Sequence, residues 1–207
     1  LLMQVDLIIV NALFGSTMTG RYGALLAFAV LMHTLAEVVI PIFSPMIMAR
    51  YATGDSTGLR GLLESAVGFL AFGLALPVGL LCGLGRPLLS LWLGPDFAEL
   101  DTLLIVLVAH LAVNLAGRPI GYLLTAHNKV KQQGLVTLVL GVVNIVLAVA
   151  LALWANWGVL GIAAAAAIVW TLKNTLILPV YAARVLGLNW WAFLPRLAGG
   201  AAAAREL

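Results

Sequence analysis

Charge is what this sequence has least of. Only 9% of its 207 residues are Asp, Glu, Lys or Arg, against about a quarter in an ordinary soluble domain, and so few charges cannot cover a water-exposed surface. A single cysteine, Cys82 in an apolar run, excludes an internal disulfide and a thiol-rich metal site. No P-loop, GxGxxG, HExxH or paired-cysteine spacing occurs. A nucleotide-driven engine, a dinucleotide cofactor and zinc-peptidase chemistry therefore have no footing, no cofactor or metal is expected, and the chain is not expected to be an enzyme. The eleven cations give a net charge of +3 but form no basic stripe with interleaved aromatics, which argues against nucleic acid as a partner.

What is present is apolar sequence: 63% hydrophobic residues and a mean hydropathy of +1.12. From Gln132 to Leu172 no side chain is charged, and the run breaks only at Ala155-Asn156-Trp157-Gly158. A spanning helix needs roughly 20 mostly apolar residues, so the run predicts a membrane hairpin, Gly134 to Trp154 and Val159 to Val180. Three further spans are predicted at Gly23 to Met48, Leu62 to Leu84 and Thr102 to Thr125, with an incomplete first helix ending near Phe14. The expected fold class is all-α, a polytopic transmembrane helix bundle of about six spans. The start has no basic n-region or cleavage site and reads as an entry in mid-protein. Residues 1–191 are read as one six-helix transmembrane unit and 192–207 as the start of a truncated further span or a tail.

Loop charges predict orientation. Arg50, Arg60, Lys129, Lys131, Arg184 and Arg196 fall on one side, Arg21 and Arg86 on the other, which puts the first group in the cytoplasm. The Gly85 to Asp101 loop, with Asp96, Glu99 and Asp101, then faces outward. That acidic group offers a weak cation site but is explained as a solvated loop. Trp92, Trp154 and Trp157 fall at outer ends, and Trp190 and Trp191 at the inner surface, as interfacial rings prefer. Only Trp170 lies within a span. Arg86 to Gly94 reads as a short apolar turn or helix on the membrane surface, since about ten residues cannot cross the hydrocarbon.

Charges inside spans are expensive, at about 2.5 to 3.5 kcal/mol each on insertion scales, and mark candidate sites. Arg118 and Lys173 each lie about eight residues from the cytoplasmic end of their spans, or ~12 Å at ~1.5 Å per residue. Facing one cavity, they would hold a diphosphate or acidic sugar, Arg as a planar fork and Lys as a point charge; their long stems also allow snorkelling to the inner headgroups. Glu37 is expected deeper, with His33 one turn before it on the same face. A carboxylate beside an imidazole can exchange a proton, or can serve as hydrogen-bonded glue between helices. Pro41 and Pro45 on that helix predict a kink. Asp6 with Asn11, His110 with Asn114, and Asn144 are further polar groups at helical positions; each either bonds a neighbouring helix or touches substrate. Gly79 to Gly83 and Gly117 to Gly121 have GxxxG spacing, and Ala163 to Ala167 is a run of small residues, both patterns of close helix approach.

The stretch from Asp6 through Phe14-Gly15 to Gly20-Arg21-Tyr22-Gly23, the Arg86-Pro87-Leu-Leu-Ser-Leu-Trp-Leu-Gly94-Pro-Asp-Phe97 segment and Trp157-Gly158-Val-Leu-Gly161-Ile-Ala-Ala-Ala, in that order and spacing, resemble the second half of a polysaccharide or oligosaccharide flippase of the multidrug/oligosaccharidyl-lipid/polysaccharide exporter superfamily. The resemblance runs from Asp6 to about Trp191. It implies a two-lobed multi-pass protein of the cytoplasmic membrane that moves lipid-linked glycans outward, its partners being membrane lipid, the lipid-linked glycan and an N-terminal lobe of the same protein. It maps the cargo's anionic group to Arg118 and Lys173; the residues themselves add Asn114 and Asn144 as candidate substrate contacts and Glu37, His33 and Asp6 as candidate ion-coupling groups. Half a cavity cannot enclose a substrate, so the lobe alone is not expected to transport. Two alternatives differ in what they need. A multidrug and toxin exporter moving organic cations favours acidic cavity groups, and a membrane glycan polymerase or ligase needs catalytic groups in a long outer loop, where this chain has about seventeen residues, no histidine and one arginine.

Overall fold

The computed structural model describes residues 2–126 and 130–185, and every regular element among them is helical. Five helices are long and apolar enough to cross a bilayer: Gln4–Ala52, Ser56–Gly83, Pro95–Ala116, Lys131–Leu153 and Val159–Arg184. The chain is thus an all-α polytopic bundle. Trp190, Trp191, Arg196, the 192–207 segment and residues 127–129, Lys129 among them, lie outside the described residues.

The first of these helices, α1 (Leu2–Ala52), contains a reversal. Gly15 alone has non-helical dihedrals, φ 80° and ψ 176°, a region open to glycine and closed to most L-residues. In a straight helix Leu7 and Gly23 would stand ~24 Å apart at ~1.5 Å per residue. Instead, a Cβ built on Gly23 would lie 3.7 Å from the Leu7 side chain, and Thr19 Oγ1 donates to Asn11 Oδ1 at 3.4 Å. The two arms therefore run antiparallel, and the first and second predicted spans are these arms. The predicted gap between them shrinks from eight residues to one glycine, because the arm after Gly15 is helical from its first residue. Pro41 and Pro45 keep helical dihedrals, so neither breaks the arm.

Helix α2 (Ser56–Gly83) starts at Asp55, whose Oδ1 accepts from the Gly58 amide at 2.8 Å. This N-cap uses an otherwise orphaned donor, and Arg50 pairs with the same carboxylate. These groups hold the carboxyl of Asp55 below its ordinary value, the backbone hydrogen bond contributing most. Helix α3 (Gly85–Trp92) is the short surface element expected at 86–94: Leu89 is buried while Leu91 and Trp92 point outward, and Phe28 meets the Trp92 ring edge-on at 5.0 Å. The loop after it is more ordered than its composition predicts, a 3-10 turn over Pro95–Leu100.

The fourth predicted span is not one straight helix. It divides into α4 (Asp101–Val108), α5 (Leu111–Ala116) and α6 (Pro119–Ala126). Proline at 119 has no amide hydrogen and disfavours helical dihedrals at the residue before it, so the break falls on Gly117 and Arg118. Helix α7 (Val130–Leu153) and α8 (Val159–Leu172) form the expected hairpin, turned by Asn156 and Gly158, both at φ 56°. Helix α8 continues through a π-helical turn, Lys173–Ile177, into α9 (Leu178–Val185). Such turns are rare and are frequent at functional sites.

Two apolar clusters hold the bundle. The larger joins both arms of α1 to α2, α4, α5, α7 and α8. The smaller gathers Ile47, Leu59, Leu63, Ile120, Leu124, Leu178, Ala182 and Ala183, residues near the helix ends that the loop charges assign to the cytoplasm. Those ends meet at one pole.

Candidate functional site

The irregular backbone lies where the charges are. A Cβ on Gly117 would stand 3.5 Å from the Asn174 carbonyl, so the break before α6 packs on the π-helical turn after α8. Arg118 stands on the first and Lys173 opens the second. Both line one cavity of about 850 Å³, bounded also by the α1 arm after Gly15 and by α7.

Across this cavity Arg118 forms an ion pair with Glu37, 81 positions earlier in sequence. Glu37 was expected deeper than the cations, on the premise of straight helices. Its carboxylate meets the Arg118 guanidinium, a contact that the long arginine stem allows between groups at different counted positions. The pair is not sealed: the side chains are 40% exposed at Arg118 and 51% at Glu37. Lys173 donates to the Thr137 hydroxyl at 2.9 Å, and its ammonium lies 5.1 Å from the Trp170 ring centre, within cation–π range. Among the described residues no carboxylate pairs with Lys173, and it is within electrostatic reach of Arg118.

The histidines join the same wall. His33 faces Arg118 and Glu37, and His110 faces His33. Asn114 Nδ2 donates to His110 Nδ1 at 2.7 Å and to Thr171 Oγ1 at 3.3 Å, tying α5 to α8; its own Oδ1 is buried without a hydrogen-bond partner among the described residues. Of the seven residues singled out from sequence, Arg118, Lys173, Asn114, Glu37, His33 and Asp6 all line this cavity.

Asn144 does not line it. It is buried, with its side chain beside the Asp6 carboxyl. Tyr22, on the opposite arm of the α1 hairpin, faces the same carboxyl. Asp6 Oδ1, Tyr22 Oη and Asn144 Oδ1 are all buried without a hydrogen-bond partner among the described residues, an arrangement that costs stability when nothing satisfies it. Sequence reading missed Tyr22, Thr137 and Gln133. It noted Trp170 as the tryptophan inside a span but gave it no role. Both Thr137 and Gln133 point to one face of α7, where Thr137 Oγ1 donates to the Gln133 carbonyl at 2.8 Å.

A second groove of about 360 Å³ lies beside the first, between α7 and the π turn with α9, walled by Leu124, Val136 and Leu176 and reached by Lys173. Its lining is almost wholly apolar, so the recognition chemistry belongs to the larger cavity.

The chain is 40% identical over 204 residues to the uncharacterized membrane protein EpsK of Bacillus subtilis (strain 168). The alignment covers 99% of this chain and 40% of that protein, so the chain spans about two fifths of the length of the curated relative it matches. No family model matches the chain, and no solved structure matches it. Apolar helices and a membrane-protein relative together establish a multi-pass membrane protein.

Proposed function

We propose that this chain is one lobe of a transporter that moves lipid-linked oligosaccharide or polysaccharide precursors across the cytoplasmic membrane, with the anionic headgroup held by Arg118 and Lys173. The single observation that carries the reading is two cations on two broken helices lining one cavity, one of them, Lys173, hydrogen-bonded among the described residues to a neutral hydroxyl alone. A cation held at membrane depth without an acidic partner, as Lys173 is among the described residues, is a functional-site signal; Arg118 keeps Glu37 as its partner. A formal count of cavity charges gives two acids, Asp6 and Glu37, against these two cations, but Asp6 is 5% exposed and is engaged by Asn144. The charges a cargo meets are Arg118, Lys173 and Glu37.

Trp170 offers an aromatic face beside the cations, chemistry suited to sugar ring faces. Asn114 is 4% exposed and its amide donates to His110 and Thr171, so it is assigned to holding α5 against α8 beside the cargo rather than to touching a sugar. Ion coupling is assigned to Asp6, Glu37 and His33. Asp6 is the strongest of the three, because its own Oδ1 and two neighbouring oxygens, Tyr22 Oη from the other α1 arm and Asn144 Oδ1 from α7, are buried without a hydrogen-bond partner among the described residues, and oxygen ligands suit a hard cation. An N-terminal lobe of the same protein supplies the opposite wall, and the protein catalyses no reaction.

Complementation of a flippase-deficient strain with the full-length gene tests this, reading surface polysaccharide and resistance to organic cations in parallel. Restored polysaccharide is the expected outcome. Resistance without polysaccharide would favour the multidrug reading, for which the half-exposed Glu37 and the Trp170 ring give a cation-binding basis. Export by Asp6→Asn should lose its dependence on the external sodium or proton gradient; an unchanged dependence would leave Asp6 as a packing group.

A further inference from the structure

The arginine proposed to hold the cargo is already holding an anion. Arg118 is paired with the Glu37 carboxylate in an accessible cavity, and a guanidinium fork accepts carboxylate and phosphate with the same geometry. Any ligand at Arg118 must displace Glu37.

The outcome depends on how many anionic groups the ligand brings. One phosphodiester exchanges one charge-assisted bond for another and leaves a carboxylate without its partner, a trade with little net gain. A diphosphate can also reach Lys173, whose present partners are the Thr137 hydroxyl and the Trp170 face. That second contact forms a charge-assisted bond without breaking an ion pair.

We infer that Glu37 is a tethered competitor that sets the charge threshold of the cavity: it admits diphosphate diesters and excludes the monoanionic phospholipid headgroups that surround the protein in excess. This rests on the proposed anion site at Arg118 and Lys173 and adds a specificity-determining residue to it. A half-exposed ion pair contributes up to about 1 kcal/mol, which corresponds to about fivefold in affinity.

The test is titration of UDP-glucose, a soluble diphosphate diester, into the full-length protein in nanodiscs of phosphatidylcholine and in nanodiscs of phosphatidylglycerol. In phosphatidylcholine, Glu37→Gln should bind about fivefold tighter than wild type, an increase that a purely structural ion pair would not give. In phosphatidylglycerol the gain should vanish, because headgroups fill the freed arginine, while wild type binds alike in both. If Glu37→Gln does not fold, Glu37→Asp, one methylene shorter, should shift affinity in the same direction. Binding that needs Arg118 but is no tighter in these variants overturns the inference and leaves the anion site standing; so does a gain that persists in phosphatidylglycerol. No UDP-glucose binding by wild type, or binding that survives Arg118→Ala with Lys173→Ala, overturns the anion site itself.

Discussion

Glu37 and Arg118 meet across the cavity from elements 81 residues apart in sequence. Their contact ties the long arm of α1 to the break between α5 and α6, and the two residues that sequence assigned to different roles share one interaction. The fold around them rests on close helix approaches that can be tested one at a time.

Gly161 is one such approach. A Cβ there would lie 2.7 Å from the Ala152 nitrogen and from the Leu151 carbonyl carbon, backbone atoms that cannot step aside. Gly161→Ala should therefore part the α7–α8 hairpin and destabilise the protein by about 1 to 3 kcal/mol. Thermal denaturation of purified protein reads this directly, and an unchanged melting temperature would mean that the hairpin packs less tightly than described.

Asp55 gives a pH dependence with a definite sign. Its carboxyl is held low by the Gly58 amide and then by Arg50, so the cap is complete above the ordinary aspartate range, about pH 4. It is lost only as pH falls through the lower folded value. Hydrogen exchange at the Gly58 amide should keep a constant protection factor from neutrality down to about pH 4. A factor that declines already above pH 5 would contradict the assignment.

Orientation follows from the loop charges and from the shared pole at which those helix ends cluster. In a Cys82→Ala background, a cysteine at Asp96 should react with an impermeant reagent on intact cells, and one at Lys131 should not. The reverse pattern would invert the topology.

The helices were legible in the sequence because a bilayer imposes length and hydropathy on each span separately. The Asn156 to Gly158 turn was legible for the same local reason. Three things were not. The reversal at Gly15 resembles any other Gly in an apolar run until Leu7 is seen beside Gly23. The π turn at Lys173 depends on what packs against it, here Gly117. The Arg118–Glu37 pair joins elements 81 residues apart, and no local pattern in either helix says which side chain the other will meet. Asn144, read from sequence as either a helix-bonding group or a cargo contact, lies beside Asp6 outside the cavity lining, and nothing in its local sequence distinguishes the two roles.

The central claim is that Arg118 and Lys173 hold the cargo's anionic headgroup. The direct measurement is flipping of a lipid-linked diphosphate sugar by the full-length protein in proteoliposomes, with protein content per vesicle held equal. Charge-assisted hydrogen bonds contribute about 1.5 to 3 kcal/mol each, so the Arg118→Ala, Lys173→Ala double variant should lose at least roughly tenfold in rate. Arg118→Lys should recover only part of it, since an ammonium lacks the planar fork. A double variant that flips at the wild-type rate would contradict the account.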